Sequence, residues 1–191
     1  IKHRALGPGA GTRARAAVVM AQAEEADKSG RKDTALELAQ SAAKLAPGFL
    51  PAALLQAEIY RDKGEKRRAL KVLTSAWTRT PHAGIADAWR KTEDDLAPAE
   101  RLRAAEKFAG PHRAHPEGRL LLARAALDGG EFTRARAELE QIGALGRRGL
   151  RLMAELDERQ YGDQAGGHQW LERAAKAPPE VAWRCGQCGQ S

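Results

Sequence analysis

Aromatic side chains make up only 5% of this 191-residue chain. Strand formers are too few for a β-rich fold, and the abundant Ala, Leu, Arg and Glu favour helix. No stretch approaches the roughly 18 consecutive apolar residues that a membrane-spanning helix needs, and no signal-peptide pattern is present. The chain opens at Ile1 and stops at Cys188-Gly189-Gln190-Ser191, so it reads as a piece of a longer protein. Catalytic signatures are missing too. His3, His82, His112, His115 and His168 show no metal spacing of the HExxH kind, and no Ser/His/Asp arrangement stands out. The string Gly7-Pro8-Gly9-Ala10-Gly11 lacks the Lys-Ser/Thr of a phosphate loop. Net charge is +7, but there is no long Lys/Arg run. A basic excess scattered through helices reads as solvated surface and disfavours nucleic acid as the partner.

What the chain does have is an internal echo. Ala23, Gly30, Ala35, Ala42 and Pro47 recur as Ala57, Gly64, Ala69, Ala76 and Pro81, each displaced by 34 residues. That is the period of tetratricopeptide (TPR) helical hairpins, and these residues resemble that repeat. The expected fold is all-α, a right-handed α-solenoid of about five TPR-like helical hairpins. Residues 1–11 read as a flexible lead-in, 12–178 as the solenoid and 179–191 as a non-helical tail. Thr12 and Asp33 are candidate N-caps, and Pro51 suits a first helical turn. Ala23 faces Ala35 within the first hairpin, as Ala57 faces Ala69 in the second, to allow close helix approach. The third unit is degenerate, with Glu93-Asp94-Asp95-Leu96-Ala97 in place of a Gly turn; the fourth and fifth recover the pattern.

A solenoid of this kind offers a concave groove built from the first helix of each hairpin. Repeat geometry assigns that groove Glu24, Leu54, Glu58, Arg61, Leu120, Arg124 and Arg151, with Met20, Asp27, Asp62, Leu127, Arg148 and Glu155 beside them. Its charge runs from acidic to basic along the chain. Arg124 and Arg151 are placed to grip a partner's carboxylates in bidentate fashion. Trp89, on the irregular third unit, is a further candidate as an exposed aromatic anchor. Tyr60, Trp77, Phe108 and Phe132 read as packing residues.

The two cysteines form a CxxCG knuckle, Cys185-Gly186-Gln187-Cys188-Gly189. A knuckle supplies two of the four thiolates of a tetrahedral zinc site, and no second CxxC follows. Three readings stay open here: half of a zinc ribbon, plain free thiols, or a redox pair. Cys185 and Cys188 are metal ligands only if a second knuckle exists in the full-length protein.

The hairpins, together with Gln169-Trp170-Leu171-Glu172-Arg173-Ala174-Ala175, Ala177-Pro178 and Val181-Ala182-Trp183-Arg184-Cys185, resemble the C-terminal region of the bacterial HemY family. The resemblance implies a non-enzymatic scaffold associated with heme biosynthesis, held at the cytoplasmic face of the bacterial inner membrane by a segment absent from this sequence. It implies a protein or peptide partner in the groove, no cofactor in this fragment, and zinc in the full-length protein. Two alternatives accompany it: a direct heme- or porphyrin-binding module, and a scaffold for lipopolysaccharide assembly of the envelope.

Overall fold

The computed structural model describes residues 10–162 and 164–178. These form ten α-helices: α1 (Ala10–Lys28), α2 (Lys32–Leu45), α3 (Leu50–Asp62), α4 (Lys66–Arg79), α5 (Ala83–Thr92), α6 (Pro98–Ala109), α7 (Pro116–Asp128), α8 (Phe132–Glu140), α9 (Arg147–Tyr161) and α10 (Gln164–Lys176). There is no strand among the described residues. The architecture is all-α, built from TPR-like helical hairpins, as the sequence predicts.

Three hairpins are closed by the same device. Gly30, Gly64 and Gly130 adopt φ of 75°, 73° and 75°, a left-handed conformation that costs a glycine little. The residue after each glycine then folds back on the end of the first helix. Arg31 N–H donates to the Ala26 carbonyl at 2.9 Å, Glu65 to Tyr60 at 2.8 Å and Glu131 to Ala126 at 2.9 Å. These bonds satisfy carbonyls that a helix end otherwise leaves unpaired. The next helix therefore starts antiparallel and close. Ala23 and Ala35 are fully buried in the first hairpin, as Ala69 is in the second, with Ala57 at 2% exposure. A larger side chain at any of them would overpack the contact, at about 1–3 kcal/mol.

The chain divides into two compact units, with the boundary between Asp94 and Asp95. That boundary falls in the acidic stretch that replaces the third Gly turn, so α5 belongs to the first unit and α6 to the second. In the first unit, α1 packs on α2, α3 on α4, and α5 against both α3 and α4. Its core combines small Ala contacts with fully buried Leu73, Trp77, Ile59 and Ile85. In the second, α6 packs on α7, α7 on α8 and α9 on α10, around Leu122, Leu127, Leu139 and Leu156. Pro51, Pro98 and Pro116 each lie in a first helical turn, where the missing N–H costs nothing.

Two local expectations fail. Thr12 is not a cap, because α1 already begins at Ala10. Asp33 lies inside the first turn of α2, whose N-cap is Arg31 with no side-chain hydrogen bond; Asp33 pairs instead with Lys63. Histidines cap two of the described helices. His82 Nδ1 accepts from Gly84 N–H at 3.0 Å ahead of α5, and His115 Nδ1 from Glu117 N–H at 3.1 Å ahead of α7.

Candidate functional site

The groove expected from the sequence lies on the first helices of the hairpins, and the two units treat that surface differently. In the first unit, Leu54 is half-buried, and its Cδ1 stands 3.2 Å from where a Cβ on Gly84 would be. A glycine there lets α5 approach α3 at Leu54. Glu24 on α1 and Glu58 on α3 are exposed, their positions related by the 34-residue period. Arg61 stays local: its Nη2 lies 3.1 Å from Asp62 and 3.8 Å from Glu58. Lys32 bridges the first two hairpins, 2.8 Å from Asp27 and 3.3 Å from Asp62. The hydrogen bond that Lys32 donates to Asp27 leads the effects that hold its ammonium above the ordinary pKa. Asp27 and Asp62 are thus tied down, and Glu24 and Glu58 are the carboxylates the face leaves most open.

Three of the expected groove residues are in the core instead. Met20 is 5% exposed, Trp89 only 2% and Leu127 not at all. Trp89 is the seventh residue of α5, as Gln56 is the seventh of α3. Gln56 is itself buried and donates to the Ala39 carbonyl of the preceding hairpin at 3.3 Å. This position faces the preceding helix pair, not the groove, so the aromatic anchor expected at Trp89 is a packing residue. Tyr60, Trp77 and Phe108 are buried as expected; the Tyr60 hydroxyl also accepts from Gln40 Nε2 at 3.0 Å.

In the second unit, the same kind of surface is closed by ion pairs. Arg124 makes a bidentate contact with Glu155, Nη1 to Oε1 at 2.8 Å and Nη2 to Oε2 at 2.6 Å, and reaches Asp128 at 3.2 Å. The hydrogen bond from Arg124 pulls the Glu155 carboxyl below its ordinary pKa. Burial alone would lower the pKa of Arg124, but the hydrogen bond and charge of Glu155 outweigh it and the net shift is upward. Two turns back along both helices, Arg148 pairs with Glu117. Leu120 is half-buried, its Cδ2 3.5 Å from where a Gly149 Cβ would stand. Leu127 is fully buried, and Arg151 is exposed. Arg124 therefore does not stand free for a partner's carboxylate: Glu155 of its own chain already occupies it.

Sequence reasoning missed this because it weighed the charges one by one. Glu155 lies 31 residues after Arg124, and Arg148 lies 31 after Glu117. Opposite charges at one offset, equal to the spacing of consecutive repeats, were the available signal. It missed Glu138 as well, a buried acid on α8 held by Arg119 at 3.0 Å and Arg113 at 3.4 Å. Asp157 was missed in the same way: it accepts from Arg136 at 2.5 Å and from Trp170 Nε1 at 2.6 Å.

The knuckle of Cys185 and Cys188 lies outside the described residues. Among the described residues, no group of three or more His, Cys, Asp or Glu side chains is placed to hold a metal ion. No helix among them is long and apolar enough to cross a membrane.

The class the fold defines is an all-α protein of TPR-like helical hairpins. No protein-family model and no curated protein matches the chain. Among solved structures it is similar to MamA, with 14% identity over 84% of this chain and 90% of that one, at a TM-score of 0.47. A second MamA structure gives 15% identity over 81% and 92%, at 0.48. It is also similar to YrrB, described as a TPR protein with an unusual peptide-binding site, with 13% identity over 85% and 86%, at 0.46.

Proposed function

We propose that the chain is a non-enzymatic protein-interaction module that takes a segment of a partner protein on the first-helix face of its first unit. The observation that carries this reading is the open pair of carboxylates, Glu24 and Glu58, beside half-buried Leu54. An exposed acidic surface with an apolar contact suits a peptide that carries both basic and aliphatic side chains. Arg61 is held by Asp62 and lines the same face. Arg151, on the second unit, is exposed and can take a carboxylate independently of this face. Arg124 is not part of the binding set.

The finer part of this reading rests on the resemblance of the repeats and tail to HemY. On that basis the partners are heme-pathway or neighbouring membrane enzymes, organised at the cytoplasmic face of a bacterial inner membrane. Cys185 and Cys188 would then supply half of a zinc site completed by a second knuckle of the full-length protein.

The test compares charge reversals. Peptides of alternating Lys and Leu and of alternating Glu and Leu are titrated against the wild type, a Glu24→Lys/Glu58→Lys variant and an Arg151→Glu variant, by fluorescence anisotropy at low salt. The basic peptide should bind the wild type at least tenfold more tightly than the acidic one, and the double reversal should abolish that preference. Equal binding of both peptides, or a preference that survives the double reversal, rules out this face.

A further inference from the structure

Three first helices, α1, α3 and α5, line the face of the first unit, and what each buries fixes the register between them. On α3, Ala52, Gln56, Ile59 and Tyr60 are buried. The residues 33 positions further on are buried too: Ile85, Trp89 and Thr92 of α5, and Glu93 just after it. The polar members agree. The Tyr60 hydroxyl accepts from Gln40 on α2, and Glu93 pairs with Lys66 on α4 at 2.6 Å. Both therefore reach the second helix of the preceding hairpin.

That register gives Lys91 the place of Glu58, as the 34-residue period gives Glu58 the place of Glu24. All three are exposed. From α1 to α5 the order is acid, acid, base. Glu58 has Arg61 at 3.8 Å, whereas Lys91 has no ion-pair partner among the described residues. One turn before Lys91, Asp87 takes the place of apolar Leu54 and lies 3.8 Å from Arg90. The third helix thus changes the chemistry of the face while keeping its geometry.

The spacing selects a conformation for what lies across it. α3 touches both α1 and α5, and packed helices stand about 8–10 Å apart. A β-strand returns a side chain to one side after about 7 Å, which is short of that step. An α-helix overshoots it slightly, at about 10.5 Å for every seventh residue. A polyproline II segment returns a side chain every third residue, about 9 Å along, and fits.

We propose, building on the peptide-binding reading of this face, that the partner segment is extended and carries basic, basic and acidic side chains at every third position, the acidic one on Lys91. A slip of one repeat toward α5 sets a base against Lys91. A slip toward α1 sets the acid against Glu58. Lys91 is therefore the residue that fixes the register of the segment and decides which end of it lies on α5.

The test is fluorescence anisotropy at low salt with two labelled peptides of one composition. Both carry two Lys and one Glu at every third position, with Pro and Leu between; one has the Glu at an end, the other in the middle. The wild type should bind the end-Glu peptide about fivefold more tightly, since two exposed charge pairs are at stake. Lys91→Glu should erase that preference and bind a third peptide, with Lys at all three positions, most tightly. The double variant Glu24→Lys/Glu58→Lys separates this proposal from the reading beneath it. Where binding is lost in the double variant, equal affinity of the wild type for the two orders, or a preference that survives Lys91→Glu, overturns the charge order and leaves the groove reading standing. Where binding does not depend on Glu24 and Glu58, the groove reading falls and the charge order falls with it.

Discussion

The two units use the same hairpin, yet one leaves its first-helix face open and the other ties it shut. In the first unit, Glu24 and Glu58 recur at one position and repeat the same sign, so they cannot neutralise each other. In the second, the charge alternates at that spacing, and Arg124 meets Glu155 while Arg148 meets Glu117. A repeat protein can therefore convert a binding surface into a structural seam by changing the sign of one residue per repeat. The backbone need not change. Local residue type does not reveal which has happened; the residue one repeat away does.

The largest expected effects lie in the cores, where the contrast between the faces should vanish. Trp77→Ala in the first unit empties a fully buried site and should cost about 3–5 kcal/mol, read as a drop in the urea midpoint. Next comes Glu138→Ala in the second unit, which leaves Arg119 without its buried acid. We expect a loss of about 3 kcal/mol, at the low end for a buried pair because Arg113 reaches solvent. A loss below 1 kcal/mol would mean that the acid is dispensable and the seam is held by packing alone.

Glycines sharpen the comparison at a smaller scale. A Cβ on Gly118 would stand 2.0 Å from the His112 carbonyl oxygen, which only a backbone shift can relieve. In the first unit, a Cβ on Gly84 would meet the movable Leu54 Cδ1 at 3.2 Å. Gly118→Ala should therefore cost about 1–3 kcal/mol and Gly84→Ala less. If thermal melts put the two in the reverse order, the approach of α7 to its preceding turn is looser than described.

The smallest effect is the seam itself. Arg124→Gln should cost about 1 kcal/mol at neutral pH, since both partners keep some contact with solvent. The folded-state pKa of Glu155 is depressed, so its contribution is present above the ordinary carboxylate value of 4.5 and is lost as pH falls through the depressed value. The gap between wild type and Arg124→Gln in urea midpoint should accordingly narrow as the pH is lowered below the ordinary carboxylate range. A gap that holds constant across that range would place the cost in packing and not in charge.

Much of the fold was legible before any coordinates. The close-packing alanines and turn glycines announce helical hairpins, because only small residues permit that approach and only glycine takes the left-handed turn without strain. The binding face was less legible. Trp89 looks like an exposed anchor in a degenerate repeat, and its burial follows from its register within α5, which the loss of the third Gly turn obscures. Arg124 looks free because its partner lies on another hairpin.

The sequence by itself determined the hairpins, their order and their turns, since these depend on neighbours within a few positions along the chain. Only the tertiary structure decided which charges remain available. Whether Arg124 or Glu58 can meet a partner depends on the side chain that stacking brings opposite it. That side chain is set by the register between helices a whole repeat apart.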